Sequence, residues 1–293
     1  MTTLTANSPR SVGPAGSVLL ATARRGPTSG VTFGRIVASE WIKFRSVRST
    51  LWTLPVTALV MVGLAVLQAW GAVTVGGDAP EVGGSAPTIV TGGWFLAQMV
   101  VAVLAILTIT GEYSTGQIRS SVTAVPRRVP ILAAKALVLF VAVAVVSTVA
   151  VALSWLASLP FLNQLGVSVD LSNPDQLRVL LGTPLYLATI ALFAFAVGAL
   201  PRPSAGALAI VLTLLLVLEN VFALLPFRFF EVVSPFLPST SGGRILLDSG
   251  TLEFMDAGST GAHLTAWQGY GVLVAWVAVL LTAAAVLLRR RDA

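Results

Sequence analysis

The stretch "ALVLFVAVAVVSTVAVALSWLASLP", residues 136–160, contains no charged side chain. A helix needs about 20 mostly apolar residues to cross a hydrocarbon core about 30 Å thick, so this stretch predicts a transmembrane helix. Five other windows satisfy the same rule, at about 51–72, 94–111, 179–200, 205–225 and 267–288. The sequence therefore predicts an all-α integral membrane protein with six transmembrane helices over 51–288.

The composition agrees with this fold and leaves no room for a soluble domain. Of 293 residues, 56% are hydrophobic and 10% are charged, whereas an ordinary soluble domain is about 25% charged. Residues 1–30 are rich in Ser, Thr, Gly and Pro and are expected to be a disordered tail. Arg24 and Arg25 follow the short apolar patch of this tail instead of preceding it, so we expect no cleaved signal peptide. The absence of cysteine excludes disulfides and thiolate metal sites.

The basic residues predict the orientation, because Lys and Arg close to membrane helices are retained on the cytoplasmic side. With the N-terminus inside, all but three of the 18 basic residues fall on the cytoplasmic side. The three exceptions are Arg178, Arg228 and Arg244. Both termini, including a basic tail at 289–293, are therefore predicted to be cytoplasmic. The net charge of +6 reflects this topology, and we expect no nucleic-acid partner.

The segment "VTFGRIVASEWIKFRSVRS", residues 31–49, repeats its apolar residues with helical spacing. One predicted stripe comprises Phe33, Val37, Trp41 and Phe44, and basic residues surround it. Such a helix lies in the plane of the membrane interface, with its apolar side in the lipid and its basic side chains at headgroup level.

A charged segment, "GEYSTGQIRSSVTAVPRR" (111–128), lies on the cytoplasmic side between the second and third windows. Ser114 and Gln117 have the spacing of a capping box, which predicts a short helix over about 115–124. Ile118 and Val122 would lie on one face of this helix and Arg119 on another. From these features the segment is either a solvated loop that only sets topology or a docking site for a cytoplasmic partner.

Glu219 is the only acid inside a predicted span, and Asn220 follows it. Ionisable residues at membrane depth are costly and usually face a bundle interior or water. The candidate roles are a position on the translocation pathway or at a dimer seam, a structural hydrogen bond, or simple access to the surface.

The long loop at 226–266 contains several phenylalanines, which predicts that it lies in or re-enters the outer leaflet, backed by protein. Pro235 and Pro238 would break helices there, and Ser239 or Thr240 would cap a second helix through Leu247.

An enzyme is poorly supported. The sequence contains no Walker-A pattern and no G-x-S-x-G motif, and its single histidine, His263, has no metal-binding or triad pattern around it. One candidate function is an ATP-independent carrier that uses Glu219 as its coupling carboxylate. Such carriers usually show paired half-repeats, and no convincing repeat relates the two halves of this chain.

Three motifs resemble the permease subunits of type-2 ABC exporters, particularly those of actinomycete-like bacteria. They are "SEWIKFRSVRSTLWTL" (39–54), "GEYSTGQIRSSVTAVPRRVPILAAK" (111–135) and "LENVFALLP" (218–226), and the resemblance covers about 33–288. It implies a dimer, or a pair with a similar chain, in the bacterial cell membrane, bound to separate ATPase subunits that hold ATP and Mg. This chain itself would hold no cofactor.

The resemblance also implies roles for individual residues. The segment 111–128 would be the coupling helix, and the ATPase-coupling residues would be Glu112, Tyr113, Gly116, Ile118, Arg119, Val122, Arg127 and Arg128. The segment 31–49 would be a connecting helix that packs against the coupling region, with Trp41, Lys43, Arg45 and Arg48 as its main residues. Glu112 could pair with Arg45 or Arg48. A plain lipid anchor would give the same pattern in the connecting helix, and Glu40 alone does not decide between the two.

Overall fold

The computed structural model describes residues 32–75, 85–114, 129–201, 203–225, 227–258 and 261–290. The predicted tail at 1–30 and the coupling residues from Gly116 to Arg128 lie outside these ranges. Within them, every regular element is a helix, so the predicted all-α fold is confirmed. Six helices of the described ranges are long and apolar enough to cross a membrane, as the apolar windows predicted.

The helices follow one another along the chain with short connections. They are α1 (Phe33–Ser46), α2 (Arg48–Val75), α3 (Ala86–Thr91), α4 (Trp94–Ser114), α5 (Val129–Gln164), α6 (Pro174–Gly198), α7 (Ser204–Leu212), α8 (Glu219–Leu224), α9 (Arg228–Val233), α10 (Pro238–Gly243), α11 (Ser249–Ala257) and α12 (Ala266–Arg290). A π-helical segment, Thr213–Leu218, joins α7 to α8, and the 3-10 turns Ser234–Phe236 and Arg244–Leu246 flank α10. Spans 1 to 4 are α2, α4, α5 and α6, span 5 is α7 to α8, and span 6 is α12.

Spans 3 and 4 begin earlier in the chain than their apolar windows. Lys135 lies inside span 3, and Asp175 and Arg178 lie inside span 4. A window rule stops at charged residues, whereas a helix continues as long as its backbone is hydrogen-bonded. Span 4 begins where the Asn173 side chain accepts a hydrogen bond from the Asp175 amide at 2.9 Å, and Pro174 occupies the first turn, where proline is well tolerated.

Span 5 differs from the straight helix that its window suggests. Its middle third, Thr213–Leu218, is π-helical, so the span consists of two short α-helices separated by a wider turn. Hydropathy measures how long an apolar segment is and carries no information about the pattern of backbone hydrogen bonds. The interruption lies directly before Glu219.

Span 4 is the centre of the bundle. In its most apolar window 83% of residues are buried, whereas the corresponding shares are 22%, 22% and 17% for spans 1, 5 and 6. Spans 1 and 3 pack closely against each other through small side chains, as membrane helices usually do. The fully buried residues of this kind include Ala65 and Ala69 of span 1 and Ser147, Ala150, Ser154 and Ser158 of span 3.

The six crossings place functional groups at two ends of the bundle. Residues 32 and 290 lie at the same end, which we call the α1 end because it carries α1. The end of span 2 and the start of span 3 also lie there. Helices α9, α10 and α11 lie at the opposite end, which we call the cap end.

Candidate functional sites

A buried ion pair fixes α1 to span 3 at the α1 end. The Glu40 carboxylate accepts from the Lys135 ammonium at 2.8 Å and from the Lys43 ammonium at 2.6 Å. The side chains of Glu40 and Lys135 are only 3% and 8% exposed, whereas that of Lys43 is 34% exposed. Burial raises the pKa of the Glu40 carboxyl, but the two ammonium groups lower it more, and the net pKa is below the ordinary value. Glu40 is therefore ionised at neutral pH.

The face of α1 that contacts the protein differs in part from the predicted stripe. Ile36, Glu40 and Phe44, spaced four residues apart, are buried. Phe33 and Trp41, by contrast, are 48% and 40% exposed, so the prediction that Phe44 shares a lipid-facing stripe with them is wrong. Apolar spacing cannot distinguish a side chain that contacts lipid from one that contacts a neighbouring helix. The acid between Ile36 and Phe44 marks the protein-facing side.

A cavity of about 200 Å³ lies beside this ion pair. Its walls come from α1, the start of span 1, the end of span 2 and the start of span 3, and they include Thr108, Gly111 and Lys135. The α1 end therefore brings together four chain segments next to the residues that flank the predicted coupling segment.

At the cap end, Glu219 of span 5 binds the first turn of α10. Its Oε1 accepts from the Ser239 amide at 2.8 Å, and its Oε2 accepts from the Thr240 amide at 2.6 Å and the Thr240 hydroxyl at 2.9 Å. Glu219 is only 5% exposed, so the predicted role of simple access to the surface is wrong. The predicted structural hydrogen bonds are present. The residue before α10 is Leu237, with no side-chain cap of its own. The prediction that the Ser239 or Thr240 side chain caps this helix is therefore wrong, because the Ser239 and Thr240 amides donate to a carboxylate from another helix.

A polar cluster continues from Ser239 into the centre of the bundle. The Tyr186 hydroxyl donates to Gln98 Oε1 at 2.6 Å and lies 2.8 Å from Ser239 Oγ, which in turn lies 3.2 Å from Gln98 Oε1. These groups come from span 4, span 2 and α10 and are buried. They connect three helices through hydrogen bonds that are buried inside the protein.

Two arginines hold the segment after α10 in place. The Arg178 guanidinium on span 4 donates to the carbonyl oxygens of Ile245 at 3.1 Å and Leu247 at 2.8 Å, and it forms an ion pair with Asp175. Arg244 Nη2 donates to both carboxylate oxygens of Asp256, at 2.7 and 2.9 Å. Two of the three arginines at the cap end, Arg178 and Arg244, are thus paired with carboxylates of the same protein.

The family follows from a comparison with known proteins. A model of the ABC-2 family transporter protein matches residues 36–220. The chain is a member of the ABC-2 transporter family. It is accordingly a multi-pass membrane permease, and members of this family are the membrane subunits of transporters that normally work with an ATPase. A search of curated proteins gives no match. The matched region begins on the buried face of α1 and ends next to Glu219.

The residues predicted for coupling are only partly within the described ranges. Glu112 and Tyr113 belong to the last turn of α4, at the α1 end, whereas Gly116, Ile118, Arg119, Val122, Arg127 and Arg128 lie outside the described residues. The pairing of Glu112 with Arg45 or Arg48 stays a prediction. Of the connecting-helix residues, Lys43 contacts Glu40, while Trp41, Arg45 and Arg48 are exposed on the permease surface.

Sequence reasoning missed the partner of Glu40. The available signal is that Glu40 is the only acid in the basic segment 31–49 and that Lys135 directly precedes the third apolar window. Asn220 is exposed on span 5, and its Nδ2 donates to the Leu216 carbonyl oxygen of the same span at 2.7 Å. It does not join the Glu219 hydrogen bonds.

Proposed function

We propose that the permease is the membrane subunit of an ATP-driven exporter, which forms the translocation pathway as a dimer and receives force from a separate ATPase through the segment 111–128. The ATPase holds the ATP and Mg, and both permease termini face the cytoplasm of a bacterial cell. The observation that carries the proposal is the buried ion pair between Glu40 and Lys135.

The ion pair supports coupling because of its position. Span 2 ends and span 3 begins on either side of the coupling segment, and Lys135 lies within the first two turns of span 3. A displacement of the segment moves the start of span 3, and the contact with Glu40 carries this movement to α1. Breaking a buried pair by removing one partner costs about 3–5 kcal/mol, since the remaining charge is left uncompensated. The link between α1 and span 3 is therefore stiff.

The charge distribution supports the orientation. Arg178 is bound to Asp175 and to the Leu247 carbonyl oxygen, and Arg244 is bound to Asp256. At the α1 end, Arg45 and Arg48 are exposed. Exposed cations favour the cytoplasmic leaflet, which is negatively charged. We infer that the α1 end is cytoplasmic and the cap end faces outward.

The surface of span 5 supports a dimer. Its exposed side carries Thr213, Val217, Asn220 and Leu224 with helical spacing. A polar side chain such as Asn220 is unfavourable against lipid tails and is commonly placed between helices, where it forms interhelical hydrogen bonds. A second copy of the chain, or a similar permease, would cover this side.

The carrier alternative receives no comparable support. It requires Glu219 to exchange protons or ions during transport, yet both carboxylate oxygens already accept hydrogen bonds from Ser239 and Thr240. In this structure the contacts of Glu219 join span 5 to α10 and leave neither carboxylate oxygen open to an ion.

Purification of the tagged permease from its native membrane tests the proposal. We expect an ATPase subunit to co-purify and its hydrolysis rate to change when transported compounds are added. A permease with both Glu40→Lys and Lys135→Glu keeps the ion pair with its charges exchanged, and it should retain the ATPase. Transport that is driven by a pH gradient in vesicles without any ATPase would overturn the proposal in favour of the carrier.

A further inference from the structure

The outer half of span 5 is held to the rest of the bundle very differently from its neighbours. In α8 the one buried residue among the described side chains is Glu219, and Asn220, Val221 and Leu224 are exposed. The last buried apolar side chain before it is Leu215, within the π-helical segment. Fully buried apolar packing therefore ends at the π-helical segment. Beyond it, α8 contacts the cap end through the Glu219 carboxylate and through Phe222, whose ring centroid lies 4.7 Å from that of Phe230 in α9.

The surface that Glu219 binds is itself firmly anchored. Gly269 of span 6 lies so close to the Ser241 carbonyl oxygen that no side chain would fit there, and Gly242 lies equally close to Leu273 of span 6. Ser241, Ile245 and Leu246 are fully or almost fully buried against spans 4 and 6. Because α10 is fixed to these two spans, it cannot easily follow a movement of span 5.

We propose that Glu219 is a latch, formed by its hydrogen bonds to Ser239 and Thr240, that keeps the outer half of span 5 closed against the immobile α10. The π-helical segment Thr213–Leu218 is the hinge about which α8 moves away when the latch opens. π-Helical turns are uncommon and recur at functional sites, and here the turn lies next to the group that makes the contact. Opening separates α8 from α10 and exposes the polar cluster of Gln98, Tyr186 and Ser239 towards the cap end.

The latch gives the exporter an outward gate with a discrete closed state. Three donors converge on one carboxylate, so the contact is either made or lost over a small displacement, whereas apolar packing would weaken gradually. This role in export depends on the proposed function, but the latch and the hinge are properties of the permease chain alone.

Thiol labelling of paired reporters tests the latch without requiring an ATPase or a substrate. The chain contains no cysteine, so Ser239→Cys and Ser241→Cys each provide a single, nearly isosteric thiol. Both positions lie on α10 and are buried. The Ser239 amide donates to Glu219, whereas the Ser241 carbonyl oxygen lies against Gly269 of span 6. A small charged thiol reagent is added to the permease in membranes from the cap side.

The Glu219→Gln variant should increase the labelling rate of the Ser239 reporter at least tenfold and leave the Ser241 reporter unchanged. The Ser239 and Thr240 amides donate to different oxygens of Glu219, and a Gln side chain has only one such oxygen. The substitution therefore opens the latch while it keeps the shape of the side chain. The Thr240→Val variant removes one hydrogen bond and keeps the carboxylate, and it should give a smaller increase in the same reporter. This second variant also serves if Glu219→Gln does not insert.

Equal increases at both reporters would mean that α10 has left spans 4 and 6, and unchanged labelling at Ser239 in both variants would mean that Glu219 holds nothing closed. Either result overturns the latch. Neither labelling result depends on ATP. The latch can therefore be wrong while the coupling proposal stands, and the coupling proposal can be wrong while the latch stands.

Discussion

Glu40 and Glu219 are both almost fully buried carboxylates, and they are held by different kinds of partner. Glu40 binds two ammonium groups at the α1 end, whereas Glu219 binds two backbone amides and a hydroxyl at the cap end. A charge paired with an opposite charge is costly to separate, because both ions must be left in a low-dielectric environment. A carboxyl group held by neutral donors can exchange them for other donors at lower cost, because no opposite charge is left buried. The α1 end is therefore suited to transmitting force and the cap end to opening.

The largest effect should follow from breaking the ion pair at its buried cation. Lys135→Met preserves most of the side-chain volume but leaves Glu40 with Lys43, which is partly exposed to solvent. We expect a loss of about 3–5 kcal/mol in unfolding free energy, measured as a fall in the thermal midpoint of the purified permease. The double variant Glu40→Lys, Lys135→Glu should recover much of this loss. Equal stability of Lys135→Met and the parent would show that the pair is not a strong link.

Acid should remove part of the same stabilisation. The pKa of Glu40 is lowered from its ordinary value near 4.5 in the folded state, so its contribution is fully present above pH 4.5 and is lost as the pH falls through the lower folded-state pKa. The difference in thermal midpoint between the parent and Glu40→Gln should therefore be constant from pH 7 to pH 5 and narrow below 4.5. If the difference in thermal midpoint already narrows between pH 7 and pH 5, the pKa of Glu40 is not lowered in the folded state.

The latch should give a smaller and local effect. In Glu219→Gln, a buried donor is left without its acceptor, which costs about 1–3 kcal/mol. We expect faster amide exchange in α8 and at Ser239 and Thr240, with little change in the thermal midpoint, since α10 stays anchored to spans 4 and 6. If exchange instead rises throughout spans 4 and 6, the two ends do not differ in the way described.

The exposed partner of Glu40 should matter least. Lys43 is the more solvated of the two cations, and exposed ion pairs contribute about 0.2–1 kcal/mol. Lys43→Gln should lower the unfolding free energy by no more than this, and added salt should reduce the effect. A loss as large as that of Lys135→Met would show that the ion pair depends equally on both lysines.

The six spans could be predicted because apolar length alone determines which segments cross a membrane. The face of α1 could not, since Phe44 against a helix and Trp41 against lipid are both apolar contacts and have the same appearance in a sequence. Glu219 was recognisable as an acid at membrane depth, but its partners are mainly backbone amides of α10, which have no signature in the residue types. The π-helical segment was equally hidden, because Thr213–Leu218 is as apolar as an ordinary helix.

Coupling through the segment 111–128 is tested most directly by substituting Ile118 and Val122. Replacing both with Ser removes two side chains that each contribute roughly 1.5–3 kcal/mol when buried at an interface, and it leaves every basic residue in place. Arg127→Gln with Arg128→Gln is the matched control, which changes charge and should weaken partner binding by a smaller, salt-dependent amount. The measurement is ATPase co-purification together with ATP-driven export in vesicles. We expect the Ser variant to insert and fold but to lose the ATPase or to hydrolyse ATP without export. Full ATPase binding and parental export by the Ser variant would contradict coupling through the segment 111–128.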